Sequence, residues 1–118
     1  MNVKRGEVYK ARFPHAGGSR GKKRPVVVIQ ADAYNQRLRT AVVAQLTTNL
    51  TDENDPACLL IEVSSPAGQS AGITQDSLIS CYLISLMSED RLTEQIGTLP
   101  ADVMDQVEDC LKAVLEIT

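Results

Sequence analysis

The sequence predicts a mainly β domain with some α-helix: a small antiparallel sheet, coiled toward a barrel, with one helix at the C-terminus. Short apolar runs with β-branched residues or strict alternation outnumber the segments with helical periodicity. The gaps between these runs are too short for the crossovers that parallel strands need, so antiparallel pairing is favoured. With 118 residues, 43% of them hydrophobic and 23% charged, the chain is interpreted as a single domain, residues 1–118.

The first predicted strand covers residues 6–13, where Val8, Ala11 and Phe13 alternate with polar residues before Pro14. Residues 15–23 then combine three glycines with cationic and hydroxyl side chains. This composition has no packing face, and glycine lets the backbone approach a ligand closely. We therefore interpret residues 15–23 as a functional loop.

Four further strands are predicted from the middle of the chain. Two β-branched runs read as buried strands, and the polar segment between them is compatible with a short helical turn. Serine, proline and glycine after the fourth run indicate a hairpin. The predicted strands are residues 26–30, 40–47, 57–63 and 76–84, the last closely followed by 85–87; the helical turn covers 32–38 and the hairpin turn 64–68.

The C-terminal segment carries the pattern of an amphipathic helix. Val103, Val107 and Leu111 recur at helical spacing, and Pro100 stands where a first helical residue would lie. Residues 88–90 resemble the capped start of another, brief helix. We expect the C-terminal helix to cover one edge or face of the sheet.

Charge is distributed unevenly along the chain. The net charge is −3, but residues 1–40 hold ten basic and two acidic residues, a net +8, which leaves −11 for the rest. A basic segment beside an acidic body can focus a phosphate backbone into one groove. The alternative interpretation is a set of solvated surface charges.

Several function classes are disfavoured by composition. No apolar run is long enough to cross a bilayer, and the N-terminus lacks the hydrophobic run of a secretory signal, so a cytoplasmic protein without membrane contact is expected. Cys58, Cys81 and Cys110 are an odd number at wide spacing, which suggests small core residues rather than a disulfide framework. One histidine and scattered carboxylates do not predict a metal site.

The glycine-rich loop has the composition of an anion site. Successive backbone N–H groups around Gly17 and Gly18 can form a nest, Ser19 adds a hydroxyl, and the forked guanidinium of Arg24 matches two phosphate oxygens. The glycine spacing is not that of a nucleotide-binding P-loop. Phosphate is the natural ligand of such a loop.

A second polar group lies where the third predicted strand ends. Thr47, Thr48 and Asn49 place three hydrogen-bonding side chains there. If this strand end and the loop converge, they form a polar cluster at one rim of the barrel. Taken alone, Thr47 is also compatible with an ordinary strand-edge position.

These features occur in a familiar order. The sequence resembles the MazF/PemK family of toxin endoribonucleases along essentially its whole length. The segments that carry the resemblance are Arg5-Gly6-Glu7-Val8, Gly18-Ser19, Arg24-Pro25-Val26-Val27-Val28, Leu46-Thr47-Thr48-Asn49-Leu50 and Gln75-Asp76-Ser77. The resemblance implies a small antiparallel SH3-like barrel (MazF/CcdB-like) with a C-terminal helix.

The resemblance also implies a function. Members of this family are toxins of type II toxin–antitoxin systems that cut single-stranded RNA at short sequences without a cofactor or metal, leaving 2′,3′-cyclic phosphate and 5′-hydroxyl ends. The expected partners are RNA, a second copy of the chain in a homodimer, and a cognate antitoxin whose acidic, flexible segment occupies the RNA groove.

Site residues follow from the same resemblance. The family's catalytic arginine and threonine fall on Arg24 and Thr47, and Ser19 matches the serine that contacts the scissile phosphate. The expected RNA-binding residues are Gly18, Arg20, Lys22, Lys23, Thr48, Asn49 and Gln75.

Proton transfer is the part of this mechanism with open alternatives. Arginine, whose pKa exceeds about 12, serves better in charge stabilisation than as a base. Many relatives carry an acid directly after the loop serine, where this chain has Arg20. His15 is a candidate replacement, although a lone loop histidine is commonly a solvent-exposed bystander.

The predicted fold also occurs, or could occur, in two kinds of protein that are not nucleases. A toxin of the same fold that poisons DNA gyrase relies on a terminal motif containing tryptophan, whereas this chain has no tryptophan. A barrel that binds RNA without cleaving it is the second alternative, and the absence of the usual loop acid is compatible with it.

Overall fold

The structure is a computed structural model in which residues 1–12 and 22–118 are described. Within these ranges six strands form one antiparallel sheet in the order β4-β5-β3-β2-β1-β6. The strands are β1 (Glu7–Ala11), β2 (Arg24–Val28), β3 (Thr40–Thr47), β4 (Cys58–Ile61), β5 (Ser77–Ser88) and β6 (Gln95–Thr98). The predicted mainly antiparallel fold with a C-terminal helix is thereby confirmed. The predicted end of the first strand at Phe13 lies outside the described residues.

Three α-helices and a 3₁₀ turn accompany the sheet in the described part of the chain. They are α1 (Asp32–Arg37), α2 (Pro66–Ala71), the 3₁₀ turn (Glu89–Arg91) and α3 (Ala101–Leu115). Helix α3 begins one residue later than predicted, because Pro100 is its N-cap in extended conformation rather than its first helical residue. Among the described residues, no helix has the length and apolar character needed to cross a membrane.

Two elements were missed by the sequence analysis. Strand β6 contains Gly97 and no β-branched run, so its pairing with β1 is set by tertiary contacts rather than by propensity. Helix α2 begins within the segment predicted as a hairpin turn and continues to Ala71, although β4 and β5 do pair as antiparallel neighbours. Its start has a recognisable signal, because Ser65 Oγ accepts a hydrogen bond from Gly68 N at 3.0 Å and Pro66 occupies the first turn.

Helix α2 connects the two edges of the curled sheet. It follows the edge strand β4, and Ser70 Oγ donates a hydrogen bond to the carbonyl of Thr98 on the opposite edge strand β6. The approach is close: a Cβ on Gly97 would lie 2.3 Å from the Ser70 carbonyl oxygen. Gly72 ends the helix at φ 74° and has no room for a Cβ against Ile96. Glycine at these two positions therefore permits the sheet to curl against α2.

Apolar side chains pack on both faces of the sheet. The first core lies under α3 and joins residues such as Val27, Ala44 and Ile79 to Val107 of the helix. The second core lies on the other face and contains Tyr9, Val26, Val28, Val43, Met87 and Leu92. The predicted core role of the cysteines is confirmed, since Cys58, Cys81 and Cys110 are all buried as free thiols.

Candidate active site

Arg24 and Thr47 lie at the same end of the sheet. Strands β2 and β3 are antiparallel, with Val26 opposite Gln45 and Val27 opposite Ala44. Continuing this register by two residues places Arg24, the first residue of β2, opposite Thr47, the last residue of β3. The paired residues stop at Val26 and Gln45, so Arg24 and Thr47 lie two residues beyond the ladder, at the same end of both strands.

The two side chains also share a face. Arg24 alternates in step with Val26 and Val28, and Thr47 alternates in step with Val43, all three of which belong to the second core. Arg24 is exposed and Thr47 is half-buried. The guanidinium and the hydroxyl are therefore carried at one rim, on the face opposite α3.

The residues after Thr47 form a hydrogen-bonded turn. Thr47 Oγ1 accepts a hydrogen bond from Asn49 N at 3.2 Å, so the hydroxyl keeps its own hydrogen for donation. Asn49 Oδ1 accepts from Thr51 N at 3.0 Å and from Thr51 Oγ1 at 2.6 Å. Because a backbone N–H can only donate, the amide orientation of Asn49 is settled and its Nδ2 points elsewhere.

Four other predicted RNA-binding residues flank this rim. Lys22 and Lys23 are exposed and directly precede Arg24. Gln75 is exposed and lies shortly before Leu78, the β5 residue that pairs with Thr47. Exposed Thr48 follows Thr47 directly. The four candidates therefore sit at the end of the sheet that carries Arg24 and Thr47.

The other sequence-predicted candidates fall on residues 13–21. His15, Gly18, Ser19 and Arg20 lie outside the described residues. Arg12 and Lys22, the described residues that border this segment, are exposed.

A cleft that sequence reasoning did not anticipate lies beside the rim. It has a volume of about 320 Å³ and is lined by Ala11, Arg12, Lys23, Asp90, Arg91 and Thr93. Arg91 is one of only two basic residues beyond position 40. The position of Arg91 in an otherwise acidic stretch was the only hint of this cleft in the sequence. Nothing in the sequence indicates that the chain returns to β1 at this point.

The carboxylates that border this rim are already engaged. Asp76 Oδ1 accepts a hydrogen bond from Val63 N at 2.7 Å. Glu94 Oε1 pairs with Lys23 Nζ at 3.1 Å. The rim thus offers hydrogen-bond donors and positive charge, which suit an anionic ligand.

Shifted pKa values occur in other parts of the molecule. Burial raises the pKa of the Cys81 thiol to about 12, and a hydrogen bond donated to Asp52 raises the pKa of Tyr82 to about 12. Burial and a hydrogen bond to Glu7 at 2.9 Å raise the pKa of Tyr9.

Within residues 1–12 and 22–118, no group of three or more histidine, cysteine or carboxylate side chains is placed to hold a metal ion. The described side chains of the rim are arginine, lysine, hydroxyl and amide groups.

Comparison with known proteins places this chain in a family. The chain is 35% identical to the endoribonuclease EndoA of Bacillus subtilis over 118 residues, covering 99% of this chain and 97% of that protein. It is 31% identical to the endoribonuclease MazF6 of Mycobacterium tuberculosis over 119 residues, covering 99% and 100%. A solved mycobacterial endoribonuclease in complex with its cognate antitoxin shares the fold, with a TM-score of 0.75 at 21% identity over 98% of this chain and 97% of that one.

The family model for PemK-like, MazF-like toxins of type II toxin–antitoxin systems matches residues 4–115. This match includes Arg24 and Thr47 and covers almost the entire chain. The protein therefore belongs to the PemK-like, MazF-like toxin family.

Proposed function

We propose that this protein is the toxin of a type II toxin–antitoxin system and acts as a sequence-specific, metal-independent endoribonuclease on single-stranded RNA. The observation that carries the proposal is the register of β2 and β3, which brings Arg24 and Thr47 to one rim and one face. The endoribonucleases of similar sequence support the activity class.

The proposed reaction is an internal transesterification. The ribose 2′-oxygen attacks the adjacent phosphorus and loses its proton, while the bond from phosphorus to the 5′-oxygen breaks and the leaving oxygen gains a proton. The products are a 2′,3′-cyclic phosphate and a 5′-hydroxyl end. DNA lacks the attacking hydroxyl and would not be cut.

Arg24 and Thr47 would act on the charge that develops in this reaction. The transition state carries extra negative charge on the non-bridging oxygens, and the Arg24 guanidinium can donate to two of them. Thr47 can donate its hydroxyl hydrogen, since its oxygen already accepts from Asn49 N. A preorganised donor of this kind is worth roughly 10²- to 10³-fold in rate. Ser19, in the predicted loop, is proposed as a third donor.

His15 is our candidate for proton transfer, because it is the only histidine in the sequence and lies four residues before Ser19 in the predicted loop. Its replacement by alanine should flatten the rate profile between pH 5 and 8. A His15→Ala profile that superimposes on that of the wild type would remove His15 from the mechanism.

Recognition of the RNA sequence is proposed to depend on the side chains around the rim. Gly18, Arg20, Lys22 and Lys23 would hold the backbone, while Thr48, Asn49 and Gln75 would contact bases. The hydrogen bonds from Thr51 occupy Asn49 Oδ1, which leaves the amide hydrogens of Asn49 to donate. Asn49 would therefore select a base that presents an acceptor.

An antitoxin is the proposed protein partner. The solved mycobacterial relative is described as a complex with its cognate antitoxin. The cationic rim of this chain would attract an acidic flexible segment, which should compete with RNA for the same groove.

A homodimer is the proposed assembly. Tyr82, Ile84 and Leu86 are large apolar or aromatic residues of β5 that remain exposed, Leu86 at 61%. Neighbouring exposed apolar groups of this size mark a protein interface. Sedimentation should show a dimer at micromolar concentration, and L86D should shift it toward the monomer; a wild-type protein that sediments only as a monomer would contradict this assembly.

The nuclease proposal is tested by incubating the purified protein with a mixed-sequence RNA in EDTA and analysing the new ends. Cleavage should persist, leave 2′,3′-cyclic phosphate and 5′-hydroxyl ends, and occur at a short common sequence. Loss of cleavage under chelation would contradict metal independence. Binding without any cleavage would support the alternative of a non-catalytic RNA-binding toxin.

A further inference from the structure

The cleft of about 320 Å³ beside the rim has a cationic lining. Arg12, Lys23 and Arg91 contribute three positive side chains, and Asp90 is the one carboxylate among its lining residues. The Asp90 carboxylate already accepts a hydrogen bond from the Ser88 hydroxyl. The positive charge of these described lining residues suits a phosphate group.

The cleft adjoins the candidate active site on the same face. Ala11, which lines it, is paired directly with Arg24 in the β1–β2 ladder. Ala11 also belongs to the second core, so the cleft opens on the face that carries Arg24 and Thr47. Lys23 lines the cleft and is the residue next to Arg24. A strand whose scissile phosphate lies at Arg24 would therefore have a neighbouring phosphate within reach of the cleft.

The outer wall of the cleft is held in place by packing and by backbone hydrogen bonds. Leu92 is only 5% exposed and packs into the second core. Leu92 N donates to the Glu89 carbonyl at 3.1 Å, and Lys10 N donates to the Glu94 carbonyl at 2.9 Å. These contacts anchor the segment between the 3₁₀ turn and β6 against β1. Arg91 and Thr93, on either side of the Leu92 anchor, remain exposed.

The cations of the cleft differ in their engagement. Lys23 Nζ is held by Glu94 Oε1 at 3.1 Å, which offsets part of its charge. Arg91 takes part in none of the ion pairs Arg5–Glu108, Lys23–Glu94 and Arg39–Glu89. Arg91 is exposed on a segment whose backbone is held in place, and its guanidinium can donate to two phosphate oxygens at once. It is therefore the best suited of these residues to bind phosphate.

We propose that this cleft binds a backbone phosphodiester of the RNA adjacent to the scissile one, with Arg91 as its principal ligand. The proposal rests on the proposed function, because it assigns a second contact to the same strand. The cleft would hold the substrate in register without touching the reacting atoms, so it should affect binding rather than the chemical step.

The test measures binding separately from cleavage. A fluorescent 2′-O-methyl RNA of mixed sequence has no free 2′-hydroxyl to attack, so its affinity can be followed by anisotropy over a range of NaCl concentrations. For Arg91→Ala we expect roughly tenfold weaker binding, and a slope of log affinity against log salt that is smaller by about 0.7, the value for one contact to a single strand. Arg91→Lys should keep the slope.

Two further variants sharpen the result. Arg37→Ala removes the same charge from α1, at the other end of β2 and β3, and should change neither affinity nor slope. Glu94→Gln releases Lys23 and should tighten binding. The kcat for natural RNA should be unchanged in Arg91→Ala while KM rises.

An Arg91→Ala slope equal to those of the wild type and Arg37→Ala would overturn the subsite. A stronger displacement of RNA by inorganic phosphate than by chloride of equal ionic strength, abolished in Arg91→Ala, would support it, because phosphate and RNA would then compete for the Arg91 site. Neither result touches the nuclease proposal, which fails instead if natural RNA acquires no cyclic-phosphate ends.

Discussion

The two faces of the sheet are covered in different ways. On one face α3 lies along the sheet and buries Val107 completely against strand residues. On the other face a 3₁₀ turn anchored by Leu92 covers the second core, and polar groups gather at its rim. The first arrangement maximises buried apolar area, which stabilises the fold. The second leaves Arg24 and Arg91 accessible while their backbone is held by the sheet and by the Leu92 anchor.

The largest expected effect on stability comes from the face under α3. Met104 is 4% exposed and packs in the first core. Met104→Ala should lower the free energy of unfolding by about 2–5 kcal/mol, because it removes buried methylene groups and leaves a cavity. Urea unfolding measures this loss. Below the unfolding transition kcat should equal that of the wild type; a large fall in kcat would show that the two faces are not separate in function.

Thr47→Val is a change at the rim, where we expect activity rather than stability to be affected. It removes the hydroxyl with little change in shape, and kcat should fall by about 10²-fold because one donor to the developing charge is lost. Thr47→Ser keeps the hydroxyl and should retain most of the activity. Single-turnover kinetics with both variants measure the difference, and equal rates for them would contradict a role for the hydroxyl.

Asn49→Asp tests base selection at the same rim. Aspartate can still accept from Thr51 N and Thr51 Oγ1, so the turn should persist, but it has no amide hydrogens to donate. Discrimination at one base position should fall by about 1–2 kcal/mol, roughly tenfold. Asn54→Asp adds the same charge in the same polar segment and is the matched control. Sequencing of cut ends that reveals the same preference in wild type and Asn49→Asp would contradict the assignment.

The smallest effect on stability is expected at the start of α1, away from the two cores of the sheet. Asp32 Oδ1 accepts from Arg5 N at 2.7 Å and from Asn35 Nδ2 at 3.1 Å, and the Arg5 backbone bond in particular lowers the pKa of Asp32 below its ordinary 3.8. The stability from this lowered pKa is present above pH 3.8 and is lost as the pH falls through the folded-state pKa.

Asp32→Asn should therefore cost less than about 1 kcal/mol at pH 7, since the carboxylate is exposed and screened by solvent. The difference from wild type should shrink toward zero as the pH falls below the folded-state pKa. Chemical denaturation between pH 2 and 7 measures it. A difference that grew on acidification would mean that the carboxylate destabilises the fold.

The sequence predicted most of the fold because its signals are local. The β-branched run around Val27 predicts a strand, and the helical spacing of Val103 and Val107 predicts a helix, without tertiary information. Strand β6 was missed because Gly97 is required by the approach of Ser70 across the curled sheet, a contact between distant parts of the chain. Local propensity cannot report such a requirement.

The candidate site divides in the same way. Arg24 and Thr47 could be proposed from their places at strand ends and from the family resemblance. Their shared face depends on the register of β2 against β3, and the approach of Arg91 to Ala11 depends on the burial of Leu92. Each of these two pairs joins positions more than 20 residues apart, so composition and periodicity cannot predict that they lie close together.

The most direct measurement of the proposed nuclease site is the single-turnover rate of RNA cleavage by Arg24→Ala, with Arg37→Ala as the matched loss of one arginine. We expect Arg24→Ala to cleave roughly 10²- to 10³-fold more slowly at an unchanged unfolding temperature, and Arg37→Ala to cleave at the wild-type rate. A rate for Arg24→Ala within twofold of wild type, or an equal loss in both variants, would contradict this expectation.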